Sequence, residues 1–173
     1  SSIKLNTNAF YRVDSVFAAD VDGDGDMDVL GAFDHKIAWY ENDGNETFTT
    51  HTVSSTAVSA NSVIALDMDS DGDMDILGAS SHGHSDDGLS WYENDGDEHF
   101  TQHKIHAATT TAIFASDLDN DSDMDVLSAA GSHLRWHEND GDNTFTSRTI
   151  PRHEQSSGTA ADPDSIYAAD FDA

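Results

Sequence analysis

One acidic decapeptide occurs three times in this chain, and an internal repeat of this kind constrains the fold more than any other feature. The copies read DVDGDGDMDV from Asp20, DMDSDGDMDI from Asp67 and DLDNDSDMDV from Asp117. The start of a fourth copy follows at Asp170. The repeat predicts one structural unit that is used several times along the chain.

A second marker, an aromatic hexapeptide, keeps step with the acidic loop. It reads WYENDG from Trp39 and from Trp91, and WHENDG from Trp136. Each copy leads into a Thr-rich segment that contains a single Phe. Because the tryptophans occupy the same place in every unit, we expect them to pack between neighbouring units rather than to stack on sugar rings.

The stretches around these markers favour strands, since they are short and bounded by turn residues. Residues 16–19 precede the first acidic loop, residues 27–32 follow it, and residues 36–40 lead into an Asn-Asp-Gly turn. That turn predicts a hairpin, because its residues tolerate positive φ. Residues 47–53 then alternate and are rich in Thr. Four strands in a repeat of about 40 to 50 residues are typical of a propeller blade.

The predicted fold is therefore all-β, with three four-stranded propeller-type blades and a partial blade at both ends, as in a segment of a propeller or an open-ended repeat array. We expect blades at 12–53, 59–106 and 110–150, the end of a preceding blade with its connector at 1–12, and the first strand of a further blade at 164–173. Known propellers close with about four or more blades. A longer chain or several copies joined through open blade edges would complete the ring.

Composition excludes several classes of partner. The chain has 34 Asp and Glu against 7 Lys and Arg, for a formal charge of −27. Nucleic acid is not expected as a partner, because its binding needs a basic face. Membrane insertion is not expected either, because no apolar run is long enough to span a bilayer. Aromatic and β-branched residues recur throughout, so we expect a folded chain whose carboxylates are neutralised by a cation.

The spacing of carboxylates in the first loop indicates which cation this is. Asp20, Asp22, Asp24 and Asp28 stand at positions one, three, five and nine, and Gly25 at position six permits a sharp reversal. Several flexible oxygen ligands suit Ca²⁺. Zn²⁺ would want Cys or His, and this chain has no Cys. The ten histidines show no HExxH spacing, and we expect them to face solvent.

The loop resembles the DxDxDGxxD loop of FG-GAP or VCBS-type repeats, the family that includes the integrin α-chain propeller. It resembles the start of an EF-hand less well, because the Glu at position twelve and the flanking helices are missing. The family resemblance covers nearly the whole chain and implies that each loop joins the first two strands of a blade and binds Ca²⁺. It implies three sites, each with four side chains and the backbone carbonyl of the residue at position seven: Asp20, Asp22, Asp24, Asp26 and Asp28; Asp67, Asp69, Asp71, Asp73 and Asp75; and Asp117, Asp119, Asp121, Asp123 and Asp125.

Two departures from the family pattern are visible. Ser122 replaces the Gly at position six of the third loop, so we expect that loop to be strained or to bind more weakly. The Phe-Gly half of the family's name is not clearly present, although Gly31-Ala32 and Gly78-Ala79 resemble its Gly-Ala half.

The expected function is structural. There is no nucleophile elbow or Gly-rich oxyanion loop, and the clustered aspartates are assigned to calcium, so we do not expect an enzyme. We expect a non-enzymatic calcium-binding repeat scaffold for adhesion or for surface or filament assembly. Its partners would be other protein chains or copies of itself. The alternatives are a carbohydrate-binding, lectin-like propeller and the propeller portion of a polysaccharide-degrading enzyme.

We expect the protein to be extracellular, either secreted or at the cell surface. Free calcium is high outside cells, and calcium sites of the extracellular type can therefore be weak. Asn45-Glu46-Thr47 forms an N-glycosylation sequon in an exposed turn.

Overall fold

A computed structural model describes residues 12–81, 88–151 and 165–168 of the 173-residue chain. The described residues form twelve β-strands and no helix, and so they contain no helix that is able to cross a membrane. The predicted all-β class is confirmed. The strands are β1 (Val13–Ala19), β2 (Asp28–Phe33), β3 (Lys36–Asn42), β4 (Phe48–Ser54), β5 (Ala60–Leu66), β6 (Asp75–Ser80), β7 (Leu89–Asn94), β8 (Phe100–His106), β9 (Ala112–Ser116), β10 (Asp125–Ala130), β11 (His133–Asn139) and β12 (Phe145–Ile150).

The strands form three four-stranded sheets, each an antiparallel meander in chain order. We call them blade 1 (β1–β4), blade 2 (β5–β8) and blade 3 (β9–β12). The predicted four-stranded repeats are confirmed, and the sheets do not close into a ring within the described residues. The partial blade predicted at 1–12 lies almost wholly outside the described residues. Of the strand predicted at 164–173, residues 165–168 are described and carry no strand.

Each blade has two different faces, because successive side chains on a strand point to opposite sides. In blade 1, Trp39 lies opposite Leu30 and His51 in the sheet and shares their face. Its ring stacks on His51 at 4.4 Å between centroids. Tyr40 comes next in the chain and lies on the other face, in a cluster with Phe33.

The blades pack through these faces, with Trp of one blade meeting the Tyr side of the next. Between blades 1 and 2, Trp39 and Leu30 are buried with Val63 and Tyr92. Trp39 also meets Phe100 of blade 2 edge-on at 6.5 Å. Strand β5 lies against β1 and β2, as the inner strand of a blade does.

The joint between blades 2 and 3 uses the same arrangement. Trp91 and Leu77 of blade 2 are buried with Ile113 and Val126 of blade 3. Since Trp39 and Trp91 are fully buried, their rings have no face free for a sugar. Packing between units, as predicted from their periodic placement, accounts for both of these tryptophans.

Blade 3 departs from the other two at the Tyr position. His137 stands there and is 0% exposed, so the expectation that the histidines face solvent is wrong for this residue. Its Nε2 and Nδ1 each lie 2.7 Å from a hydroxyl oxygen, those of Ser128 and Ser147. In blade 2 the corresponding neighbour is Gly78, where an added Cβ would first collide with Ile37 of blade 1 and would also come within 3.2 Å of the Tyr92 ring. The smaller imidazole of blade 3 removes the second of these two obstacles.

Candidate metal centre

The three acidic loops join the first two strands of their blades, as the resemblance implies. Residues 20–27 connect β1 to β2, residues 67–74 connect β5 to β6, and residues 117–124 connect β9 to β10. The strands hold both ends of each loop, so the loop curls back within eight residues. This geometry turns alternate carboxylates toward one concavity.

Every loop brings three carboxylates together. In each group, one oxygen per residue lies within 4.8 Å of the corresponding oxygens of the other two. Such a group could hold a metal ion, and all of its donors are oxygens, which suits a hard cation. The groups are Asp20, Asp22 and Asp28; Asp67, Asp69 and Asp71; and Asp117, Asp119 and Asp125.

Six of the predicted ligand residues lie outside these groups. Three were predicted to bind through side chains, and three through backbone carbonyls. The first three are Asp24, Asp75 and Asp121, and the second three are Asp26, Asp73 and Asp123. Their role as ligands stays a prediction.

Unpartnered oxygens in the first two loops fit a bound cation. Asp20 Oδ2 accepts the Gly25 N–H at 3.0 Å, and Asp67 Oδ2 accepts the Gly72 N–H at 3.2 Å. The other oxygen of each carboxylate, Oδ1, is buried and has no hydrogen-bond partner. A buried carboxylate oxygen without a partner costs free energy, and a cation would remove that cost.

The third loop differs at the same place. Asp117 Oδ1 accepts the N–H of Asn120 at 2.7 Å, so Oδ1 of the first carboxylate of this loop has a hydrogen-bond partner where the Oδ1 atoms of the first carboxylates in the other two loops have none. Ser122 has φ 83°, in the left-handed region where Gly25 (97°) and Gly72 (100°) stand in the other loops. A non-Gly residue there is strained by roughly 1–2 kcal/mol. Both observations agree with the weaker third site expected from the sequence.

Electrostatics in the loops disfavour the charged carboxylates. Burial raises the pKa of Asp22 and of Asp69, and neighbouring carboxylates add to the effect. Burial also raises the pKa of Asp75 to about 6, against the lowering effect of two backbone hydrogen bonds. A cation among these groups would act in the opposite direction and favour ionisation.

Position nine of each loop ties the loop to the hairpin between the third and fourth strands. Asp28 is fully buried, and its two oxygens accept the N–H groups of Val21 and Asn42 at 2.9 and 2.8 Å. Asp75 and Asp125 bind their loops and hairpins in the same way. This contact explains why the acidic loop and the aromatic hexapeptide recur together.

One set of residues at this contact was not predicted from the sequence, namely the Asn of each hexapeptide. Each of them bridges the hairpin to the loop through its backbone and its side chain. The available signal was the recurrence of Asn at one position of all three hexapeptides, at Asn42, Asn94 and Asn139.

The fold and these loops define a repeat protein of the β-propeller class with acidic loops whose carboxylates converge. A family model described as "FG-GAP-like repeat" matches residues 20–78, 67–128 and 117–173. Because the matches cover most of the chain, it belongs to the FG-GAP-like repeat family. The VCBS part of the resemblance and calcium as the cation stay predictions.

Among solved structures, the chain is similar to a lectin of Agrocybe aegerita, described by its specific recognition of non-reducing terminal N-acetylglucosamine. The TM-score is 0.57 and the identity 19%, over 79% of this chain and 38% of the lectin chain. This chain therefore spans well under half of the lectin's length. The similarity shows the shared fold. No curated protein matches the chain significantly.

Proposed function

We propose that the chain is a non-enzymatic calcium-binding scaffold that acts outside the cell, in adhesion or in surface or filament assembly. The observation that carries this proposal is the pair of buried, unpartnered oxygens, Asp20 Oδ1 and Asp67 Oδ1, in loops where three carboxylates converge. A bound Ca²⁺ would supply positive charge and oxygen coordination there.

The first two loops are connected directly to the joints between blades. Val21, the second residue of the first loop, is 3% exposed and packs in the core between blades 1 and 2. Met68 does the same between blades 2 and 3, at 1% exposure. The backbone N–H of each is held by Asp28 or Asp75. A scaffold stiffened at its joints suits a mechanical or adhesive role.

Charge supports an extracellular place for this scaffold. At −27, the chain carries a strong self-repulsion that bound divalent cations would reduce. Free calcium is high outside cells, where weak sites of this type can be filled. The partners proposed are other protein chains or copies of this one.

Calorimetric titration with calcium tests the proposal directly. We expect two tighter sites and one weaker site. Ser122→Gly should tighten the weaker site roughly fivefold, because a bound ion holds the loop in the conformation that strains Ser122 by about 1 kcal/mol, whereas a metal-free loop is free to relax.

The matched control is the reverse change, Gly72→Ser in the second loop. A Cβ at Gly72 meets nothing within 4 Å, so only backbone strain is introduced. It should weaken one of the two tight sites. A wild-type protein that binds no calcium would overturn the proposed function.

A second candidate, carbohydrate binding, is favoured by a cavity at the edge of blade 3. It has a volume of about 320 Å³, within the range of small-ligand pockets. It lies between the β10–β11 turn and residues 165–167, and the Tyr167 ring packs edge-on against Phe114 at 5.3 Å. The similar lectin recognises terminal N-acetylglucosamine. The lining residues are Ala129, Gly131, Ser132, His133, Leu134, Ser165, Ile166 and Tyr167.

Binding of a glycan with a terminal N-acetylglucosamine, measured by surface plasmon resonance, tests this candidate. We expect Tyr167→Ala to weaken binding at least tenfold, because it removes the aromatic wall of the cavity. Val16→Ala, an exposed position on blade 1, is the control and should leave binding unchanged. Equal binding by wild type and Tyr167→Ala would exclude this cavity as the site.

A further inference from the structure

The Asn side chain of the aromatic hexapeptide makes two hydrogen bonds that join the hairpin to the acidic loop. Asn94 Nδ2 donates to the carbonyl of Met74, the residue before Asp75, at 3.3 Å. Asn94 Oδ1 accepts the N–H of Gly96 at 3.3 Å. The backbone N–H of Asn94 donates to Asp75 Oδ1 at 2.8 Å. One residue thus fixes both the carboxylate at position nine and the peptide unit before it.

The same three bonds occur in all three blades. Asn42 binds the carbonyl of Met27, the carboxylate of Asp28 and the N–H of Gly44. Asn139 does so with Met124, Asp125 and Gly141. The distances run from 2.8 to 3.4 Å. The arrangement therefore belongs to the repeat and is independent of differences between individual loops.

The hairpin glycine also comes close to the loop. An added Cβ at Gly96 would collide with the Asp73 carboxylate, and the equivalent holds for Gly141 and Asp123. The hairpin backbone therefore forms a wall against which the second half of the acidic loop rests. Asn94 is 3% exposed at the base of this contact.

An amide is the side chain that fits this place. It offers a donor to the Met74 carbonyl and an acceptor to the Gly96 N–H, whereas an ionised carboxylate only accepts and an aliphatic side chain does neither. The Asp75 carboxylate has about four acceptor sites and uses two for backbone N–H groups. A hydrogen bond from the Trp91 side chain also lowers the pKa of Asp75, so at least one lone pair stays available for a cation.

We propose that Asn42, Asn94 and Asn139 are positioning residues that set the calcium affinity of their loops without contacting the ion. The inference rests on the proposed calcium function. Hydrogen bonds that orient ligating groups typically change metal affinity about 10–100-fold. Each Asn holds the aspartate at position nine. Asp28 and Asp125 belong to their groups of converging carboxylates, whereas Asp75 is a predicted ligand that lies outside the group of its loop.

Calcium titration of two variants in blade 2 tests this proposal. Asn94→Ala removes both side-chain hydrogen bonds. Asn94→Asp keeps the shape and the acceptor but loses the donor to Met74 and adds a negative charge. We expect each variant to lose about tenfold or more in affinity at one site and to keep the others.

The sign of the Asn94→Asp effect separates positioning from simple electrostatics. An added carboxylate near a cation should tighten binding if only charge matters, whereas a lost positioning bond weakens it. Asp97→Asn is the matched control, since it changes charge by the opposite amount in the same hairpin at an exposed residue. The calcium affinity of the Asp97→Asn variant should fall by less than about twofold.

The measurements also separate positioning from fold stability. A purely structural role would lower the melting temperature in EGTA and leave the calcium dissociation constants unchanged. Wild-type protein that binds calcium, together with an Asn94→Asp variant that binds it equally or more tightly, would overturn this inference alone. Failure of the wild type to bind calcium would overturn the proposed function itself.

Discussion

Removal of calcium with EGTA is expected to lower the melting temperature of the protein on the order of 20 °C. Each site stabilises the native state by about 2.7 kcal/mol when calcium exceeds its dissociation constant a hundredfold. For a chain of this size, 1 kcal/mol corresponds to about 2–4 °C. The part of the chain that the structure describes has three candidate groups, so their effects add up to the largest change that we expect.

Differential scanning calorimetry measures this effect, with EGTA presaturated with calcium as the control for the chelator itself. The double variant Asp67→Asn, Asp69→Asn should show a smaller EGTA effect, because it removes two converging carboxylates from the second loop. Melting curves that coincide with and without EGTA would contradict a stabilising role for calcium.

Acidification from pH 7 to pH 4 is expected to destabilise the joint between blades 2 and 3 through His137. Burial, with smaller contributions from nearby His106 and Arg135, lowers the pKa of His137 from 6.5 to about 4. His106 lies 5.2 Å away between ring centroids, and burial lowers its pKa as well. A proton on His137 would therefore be buried beside other cationic groups.

The direction of the pH effect follows from these pKa values. Between pH 6.5 and about 4 the unfolded chain binds a proton that folded His137 does not, so stability falls as the pH falls. The contribution of neutral His137 to the free energy of unfolding is complete above pH 6.5 and is lost by about pH 4. Its size is up to roughly 3 kcal/mol.

A matched variant isolates this effect from the titration of the acidic loops. Ser128→Gly with His137→Tyr copies the Gly78 and Tyr92 pair of blade 2 into blade 3. Chemical denaturation at saturating calcium, at pH 7 and at pH 4.5, should show a larger loss for the wild type than for the variant. Equal losses in the two proteins would exclude His137 as the cause.

The sequence predicted the blades and the loops because their signals are local. The acidic loop, the strands beside it and the Asn-Asp-Gly turn each lie within a few residues, and each repeats. The joints between blades were also foreseen in outline, because the periodic tryptophans pointed to packing. Trp39 and Trp91 are buried where one blade meets the next.

The sequence could not predict features that depend on contacts between distant residues or on side-chain conformation. Asn94 reaches Met74 across 20 positions of the chain, and the motif itself gives no sign of this bond. His137 is fully buried, and its ring lies 5.2 Å from that of His106 in blade 2, a contact that depends on tertiary packing. The third carboxylate of the converging group is Asp71 in the second loop, whereas it is Asp28 in the first loop and Asp125 in the third. This difference depends on side-chain conformation.

The unlike faces of each blade give the chain a direction. The joint between blades 1 and 2 and the joint between blades 2 and 3 both set a Trp side against the inner strand of the following blade. A unit can therefore be followed by another unit of the same design through the same kind of joint. Duplication of one repeat in the gene would therefore add a blade that already carries both surfaces of the joint. The array can be lengthened in this way without the evolution of a new interface.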